Sequence, residues 1–230
     1  MTWTRAQYMD RTRALMDARS SQDWLDDDIR AGLGMVHSRE WKRLLDANQY
    51  LRVAERAVTQ DASGQVALSL LDSGSADSQQ RLYRILYVTN GLRVYDEDQR
   101  KRLPLATVTG VLDIRPCWYR NGDVIQLLPI ESGASLTIVT NHTPTPIDQL
   151  SDDAVAVEFP RDYELLPCYE AAAWLLAKGG RETGATGDLL KLADMIRAEM
   201  LGDLARTSTD PTQVSYPDLR SDWGAEGWGS

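Results

Sequence analysis

The sequence predicts an α+β protein: N- and C-terminal helices form a helical bundle, interrupted by an antiparallel β module and followed by an extended C-terminal arm. Three observations predict this. Apolar residues recur at helical spacing up to about Ala47; from about residue 62 the period drops to 2; after Phe159-Pro160 it returns to near 3.6. The corresponding segments are 1–60, 61–158 and 159–206, and from Thr207 onward, in the arm 207–230, aliphatic residues nearly vanish. At roughly 150 residues per domain, 230 residues make one domain with an elaboration, or two small ones.

The first helix places Tyr8, Met9, Thr12, Leu15 and Met16 on one face, and Ser20-Ser21-Gln22 breaks it. Trp24-Leu25-Asp26-Asp27-Asp28-Ile29 opens the second. An aspartate here caps free N–H groups, and the others sit favourably against the positive end of the helix dipole. Ile29, Leu33, Val36, Trp41 and Leu44 carry the helix to about Ala47, and Tyr50 to Thr59 reads equally as a short helix or a strand. Val66, Leu68 and Leu70 then alternate with small or polar residues, and the Ser/Asp/Gly-rich stretch from Leu71 to Gln80 is a loop. Asn90-Gly91 and Asn121-Gly122 each lie between β-rich runs, which predicts two type I′ hairpins. With Ser135 to Thr140 the module has four to six strands, ending at the Pro-broken loop Thr143 to Pro146. Leu166, Tyr169, Ala173 and Leu176 mark a helix with Pro167 in its first turn or at a kink, ending at Gly179-Gly180. Asp188 starts the last helix, faced by Leu189, Ala193, Ile196, Met200 and Leu204.

Composition narrows the function. The chain carries 25 Lys+Arg against 34 Asp+Glu, a net charge of −9, which argues against a protein that grips nucleic acid along its phosphates. Seven Trp and nine Tyr beside a single Phe lean towards protein contacts, because those rings pair an apolar body with a polar tip. The N-terminus has charges every few residues and no apolar core of a signal peptide, and no apolar run nears the ~18 residues of a spanning helix. The expected compartment is a cytoplasm.

No catalytic or cofactor site stands out. His37 and His142 lie far apart; His37 and Glu40 share a helix face but lack further metal ligands. Cys117 falls in a strand and Cys168 in a helix, without a neighbouring base. Gly179 to Thr186 has the glycine spacing of a P-loop, but Ala185 stands where the lysine belongs and the segment follows a helix, so it reads as a helix end. Asp26 to Asp28 read as helix-capping carboxylates, Asp152-Asp153 as a solvated loop, and Arg100-Lys101-Arg102 as a charged loop or edge strand. The reading is no enzyme, no metal and no cofactor.

Taken in order, these pieces resemble the head-to-tail adaptor proteins of tailed bacteriophages, also called connector, head completion or neck proteins. The resemblance spans roughly residues 4 to 205. It rests on the opening Trp24 to Ile29; on Trp118-Tyr119-Arg120-Asn121-Gly122-Asp123-Val124-Ile125-Gln126-Leu127-Leu128-Pro129; and on the proline loop Thr143 to Pro146 followed by Phe159-Pro160. The Ala-rich helix Ala171 to Ala177, a glycine break and a closing amphipathic helix complete it. The β module is enlarged between Gln60 and Gly110 relative to the family.

The resemblance implies a structural virion protein at the head–tail interface, present in the host cytoplasm during assembly. It would form a ring, usually dodecameric, beneath the portal, sealing the packaged head and offering the tail a platform. Its partners would be the portal ring, neighbouring copies of itself and the next neck or tail protein, with DNA passing through an acidic lumen unheld and no membrane involved. The C-terminal arm would dock on the portal through Val214, Tyr216, Leu219, Trp223 and Trp228. The alternatives are another tail-side structural protein, such as a tail tube or stopper subunit, and a virion-associated cell-wall hydrolase.

Overall fold

The computed structural model describes residues 2–16, 24–72, 81–97, 116–179 and 184–208. Four helices and seven strands lie among them: α1 (Arg5–Leu15), α2 (Asp26–Ala47), β1 (Val53–Thr59), β2 (Gln65–Ala67), β3 (Arg81–Thr89), β4 (Val94–Glu97), β5 (Cys117–Asn121), β6 (Val124–Leu128), β7 (Ser135–Thr143), α3 (Leu165–Lys178) and α4 (Gly184–Ser208).

The helices gather around α3. Its Ala171, Ala172 and Ala173 are all buried, and side chains this small let neighbouring helices approach closely. Tyr8, Met9 and Met16 from the α1 segment, Ile29, Leu33 and Val36 from α2, and Leu189 from α4 fill the same core. Thr4 caps α1 in a capping box with Gln7, whereas α2 is entered through Leu25 without a side-chain cap. The acidic triplet is therefore not a cap. Asp26 pairs with Arg13, Asp27 with Arg30 and Asp28 with Lys178, so the three carboxylates bind α1, α2 itself and α3 in turn. Pro167 sits in the first turn of α3, where its missing N–H costs no helical bond.

The expected antiparallel β module inside a helical bundle is not what forms. The seven strands make one mixed sheet, ordered β1-β7-β3-β4-β5-β6-β2, that curls into a nearly closed barrel beside the helices. The parallel member is β4 with β5, Asp96 pairing with Cys117 and Glu97 with Trp118. Two strands can run parallel only if a long connection carries the chain back, and residues 98–116 provide that length. Within it, Arg100-Lys101-Arg102 reads from sequence as a charged loop or edge strand, which gives no sign of the reversal of direction. Curvature has a visible source in two register shifts of β3 against β7, at Leu82/Arg84 and Ile85/Tyr87, since bulges bend and twist a strand. The ambiguous stretch after Tyr50 is a strand, paired along its whole length with β7. Leu70, expected to continue an alternating strand, instead lies exposed in a short 3-10 turn after β2.

Both hairpins form, though neither in the expected way. Asn121 pairs with Val124, leaving Gly122-Asp123 as the loop, and only Gly122 has positive φ (+60°). That is the type II′ pattern rather than type I′. The β3–β4 loop is four residues long, and the Asn90 side chain accepts from the N–H groups of Leu92 and Arg93, at 3.1 and 2.8 Å. Inside the barrel, Val58, Val66, Val88, Tyr95, Trp118, Ile125, Leu127, Leu136 and Ile138 form the core.

Candidate interaction surface

The most distinctive chemistry lies where α2, α3 and α4 meet. Glu40 on α2 and Glu170 on α3 are 0% and 6% exposed, and burying an isolated carboxylate is costly. Both are met by arginines from above. Arg197 of α4 reaches Glu40 at 3.0 Å and also pairs with Glu170. Arg43 pairs with Glu40 at 2.5 Å, and Arg39 pairs with Glu170. The glutamates are enclosed while Arg39 and Arg43 remain 46% and 42% exposed, so the charge shown to solvent is that of the arginines. A guanidinium pinned from below loses less freedom when it binds again.

An apolar strip runs beside these arginines. Gly32 lets Trp174 lie directly on α2: a Cβ at that position would meet the Trp174 ring at 3.3 Å. The Lys178 ammonium stands 5.4 Å from the centre of the same ring. Met35, one turn beyond Gly32, continues the line on α2. On α4, Leu190 lies two turns before Arg197 and so on the same side of that helix. Met35, Trp174 and Leu190 are 42%, 38% and 45% exposed. Tryptophan, methionine and arginine together are the side chains enriched where proteins bind one another.

The residues weighed as catalytic or metal-binding go elsewhere. The His37 ring is fully buried; its Nε2 stands 2.9 Å from the Glu158 carbonyl and therefore donates to it. Trp41 Nε1–H donates to the same oxygen at 2.9 Å. Glu40, sharing the helix face with His37, is committed to the arginines, so the pair does not converge on a common ligand. Burial pushes the His37 pKa down to about 3, with Arg52 adding to the effect. His142 is likewise buried, its Nε2 3.0 Å from the Leu71 carbonyl, and burial lowers its pKa too. Cys168 is enclosed beneath α1, where burial pushes its thiol up to about 12 and leaves it no thiolate at neutral pH. Asp153 binds Arg5 at 2.5 Å and Arg30 at 3.4 Å, and Arg5 holds its carboxyl below the usual range. It lies in the exposed loop expected there and also anchors the N-terminal segment. Among the described residues no three His, Cys, Asp or Glu side chains cluster as metal ligands, and no helix is long and apolar enough to cross a membrane.

The expected docking residues Val214, Tyr216, Leu219, Trp223 and Trp228 lie outside the described residues, as do Gly180 to Thr183 of the P-loop-like stretch and Arg100 to Arg102. The strip on the helices was not singled out from sequence. A signal existed: Trp174 falls off the face formed by Leu166, Tyr169, Ala173 and Leu176, but the Ala-rich run around it reads as uniformly buried. No family model and no curated protein matches the chain.

Proposed function

We propose that the chain is a structural, protein-binding subunit: a head-to-tail adaptor of a tailed bacteriophage that joins copies of itself in a ring beneath the portal. The observation that carries this reading is the strip of Met35, Trp174 and Leu190 beside pinned arginines, a surface built for a protein partner. The order of elements supports the particular family. A short α1, a long acidic-started α2, a β module, an Ala-rich α3 and a closing α4 follow one another as the resemblance expects. In the ring, the strip would meet a neighbouring subunit and the C-terminal arm would meet the portal. The net charge of −9 suits a lumen through which DNA passes without being held.

Light scattering after size exclusion, with the chain alone and mixed with portal rings, tests this. Co-elution with the portal in ring stoichiometry is the expected result, and Trp174→Ala should lower the number of subunits bound per portal while leaving the far-UV spectrum of the subunit intact. A chain that passes portal rings without associating overturns the adaptor reading.

A further inference from the structure

Two flanks of the helical layer carry complementary chemistry in the same order. On the strip side, Gly32 with the Trp174 ring lying on it, then Met35, Arg39 and Arg43, follow one another along α2. On α4, Leu192, Met195, Glu199 and Asp203 follow one another with the same steps of three, four and four residues. Such steps keep residues on one side of a helix, so each set forms a stripe. In both stripes an apolar pair comes first, and charges follow Met35 or Met195 by about 6 and about 12 Å at 1.5 Å per residue. The charges are opposite. Leu192 and Met195 are 42% and 67% exposed, and Glu199 is exposed as well. Asp203 pairs with Arg206 and accepts from the Tyr163 hydroxyl, yet its side chain remains 51% exposed. The hydrogen bond to Asp203, then burial and the charges of Asp203, Glu199 and Asp162, raise that hydroxyl to about 12, which marks the flank as negative. The two stripes face apart. At about 100° per residue, Met195 stands about 140° and Glu199 about 180° round α4 from Leu190, which borders the strip.

We infer that copies of this chain join head to tail, α4 of one lying parallel to α2 of the next, with Leu192 on Trp174, Met195 on Met35, Glu199 at Arg39 and Asp203 at Arg43. This rests on the strip being the surface that joins subunits, and it names the part of the neighbour that fills it. Complementary surfaces on opposite flanks make a heterologous contact, in which every copy offers one stripe to each of two neighbours. Arg39 and Arg43 suit the role because Glu170 and Glu40 hold them from beneath, so an arriving carboxylate meets guanidiniums already oriented. The apolar half excludes water, and the charged half fixes register and direction. An antiparallel approach would set Glu199 and Asp203 against Trp174 and leave the arginines facing Leu192 and Met195.

Cross-linking of the full chain, alone at high concentration and on portal rings, reads the contact. In Cys117→Ser/Met35→Cys/Met195→Cys, a short bis-maleimide should join copies into a ladder of dimers, trimers and longer chains. Met35→Cys or Met195→Cys alone, in the same Cys117→Ser chain, should give no product, and the two mixed should give dimers only. Met35 and Met195 are exposed and Cys168 is buried, so neither folding nor a native thiol decides the result. Glu199→Lys, which sets a cation against Arg39, should raise the concentration for half-assembly about tenfold, and salt should weaken the unaltered chain in the same direction. Dimers from Met35→Cys alone would reveal a two-fold contact of strip with strip and overturn the inference. So would Glu199→Lys assembling like the unaltered chain. Portal co-elution is read separately: a chain that co-elutes but gives no ladder sinks the α4 contact alone, whereas one that neither co-elutes nor self-associates sinks the adaptor reading with it.

Discussion

The helical layer and the barrel each bury a histidine against a backbone carbonyl, yet they treat charge in opposite ways. Around His37, the helices also enclose Glu40 and Glu170 and answer them with three arginines whose outer edges reach solvent. Around His142, the barrel keeps an aliphatic and aromatic core of Val, Leu, Ile, Tyr and Trp, and its buried polar side chains Thr140 and Gln126 bond to backbone carbonyls. The barrel's arrangement spends its polar groups internally. The helical arrangement projects them outward, next to Trp174. Buried carboxylates are poor sources of stability compared with a well-packed apolar core, so their presence fits a layer shaped to present a surface.

Arg52 joins the two regions. It leaves α2 for β1 at φ +51°, stands 5.4 Å from the Trp41 ring, pairs with Glu158 and donates from Nε to the His142 carbonyl at 3.2 Å. A single side chain thus touches the surroundings of both histidines.

The strongest way to break the contrast is to remove the buried charge. Glu40→Ala takes one of the two buried carboxylates from Arg43 and Arg197, which keep Glu170, and should cost about 3 kcal/mol in urea unfolding through the lost charged hydrogen bonds. A barrel core truncation such as Ile138→Ala should cost about 2–5 kcal/mol by the simpler route of lost contact and cavity. Only Glu40→Ala should also weaken partner binding, because only it loosens Arg43 at the exposed edge of the cluster. Next in size, Arg52→Ala should cost about 2 kcal/mol through its lost charged hydrogen bonds. It should also separate the unfolding of helices and barrel, seen as a mismatch between far-UV ellipticity and tryptophan fluorescence.

Acid sharpens the comparison with a smaller effect. In the fold His37 is held neutral with a pKa of about 3, against about 6.5 in an unfolded chain. Because the unfolded chain takes up the proton first, this contribution is complete above about pH 6.5 and is lost as the pH falls towards about 3. The urea midpoint should therefore drop between about pH 7 and pH 4, and His37→Gln should flatten that slope. His142→Gln should flatten it less, since the Leu71 carbonyl opposes the effect of burial there. An unchanged slope in His37→Gln would show that the acid limb belongs to other groups.

Much of this molecule was determined locally. The 3.6 and 2 periods placed α1 to α4 and most strands within a few residues, because each period follows from the direction successive side chains take along one element. Tyr8, Leu33, Ile138 and Ala173 could be read as core for the same reason. Pairing is different. Which strands lie side by side, and that β4 and β5 run parallel across residues 98–116, depends on contacts between segments far apart in the chain. The Trp174 strip belongs to that second category: an apolar side chain on an Ala-rich helix looks buried until the packing of α2 and α4 decides which flank of α3 stays open. The sequence by itself therefore determined an acidic α+β chain with its elements in place and an aromatic, acidic C-terminal segment. Only the tertiary structure decided where helices from three parts of the chain leave Met35, Trp174 and Leu190 exposed, because exposure is a property of neighbours.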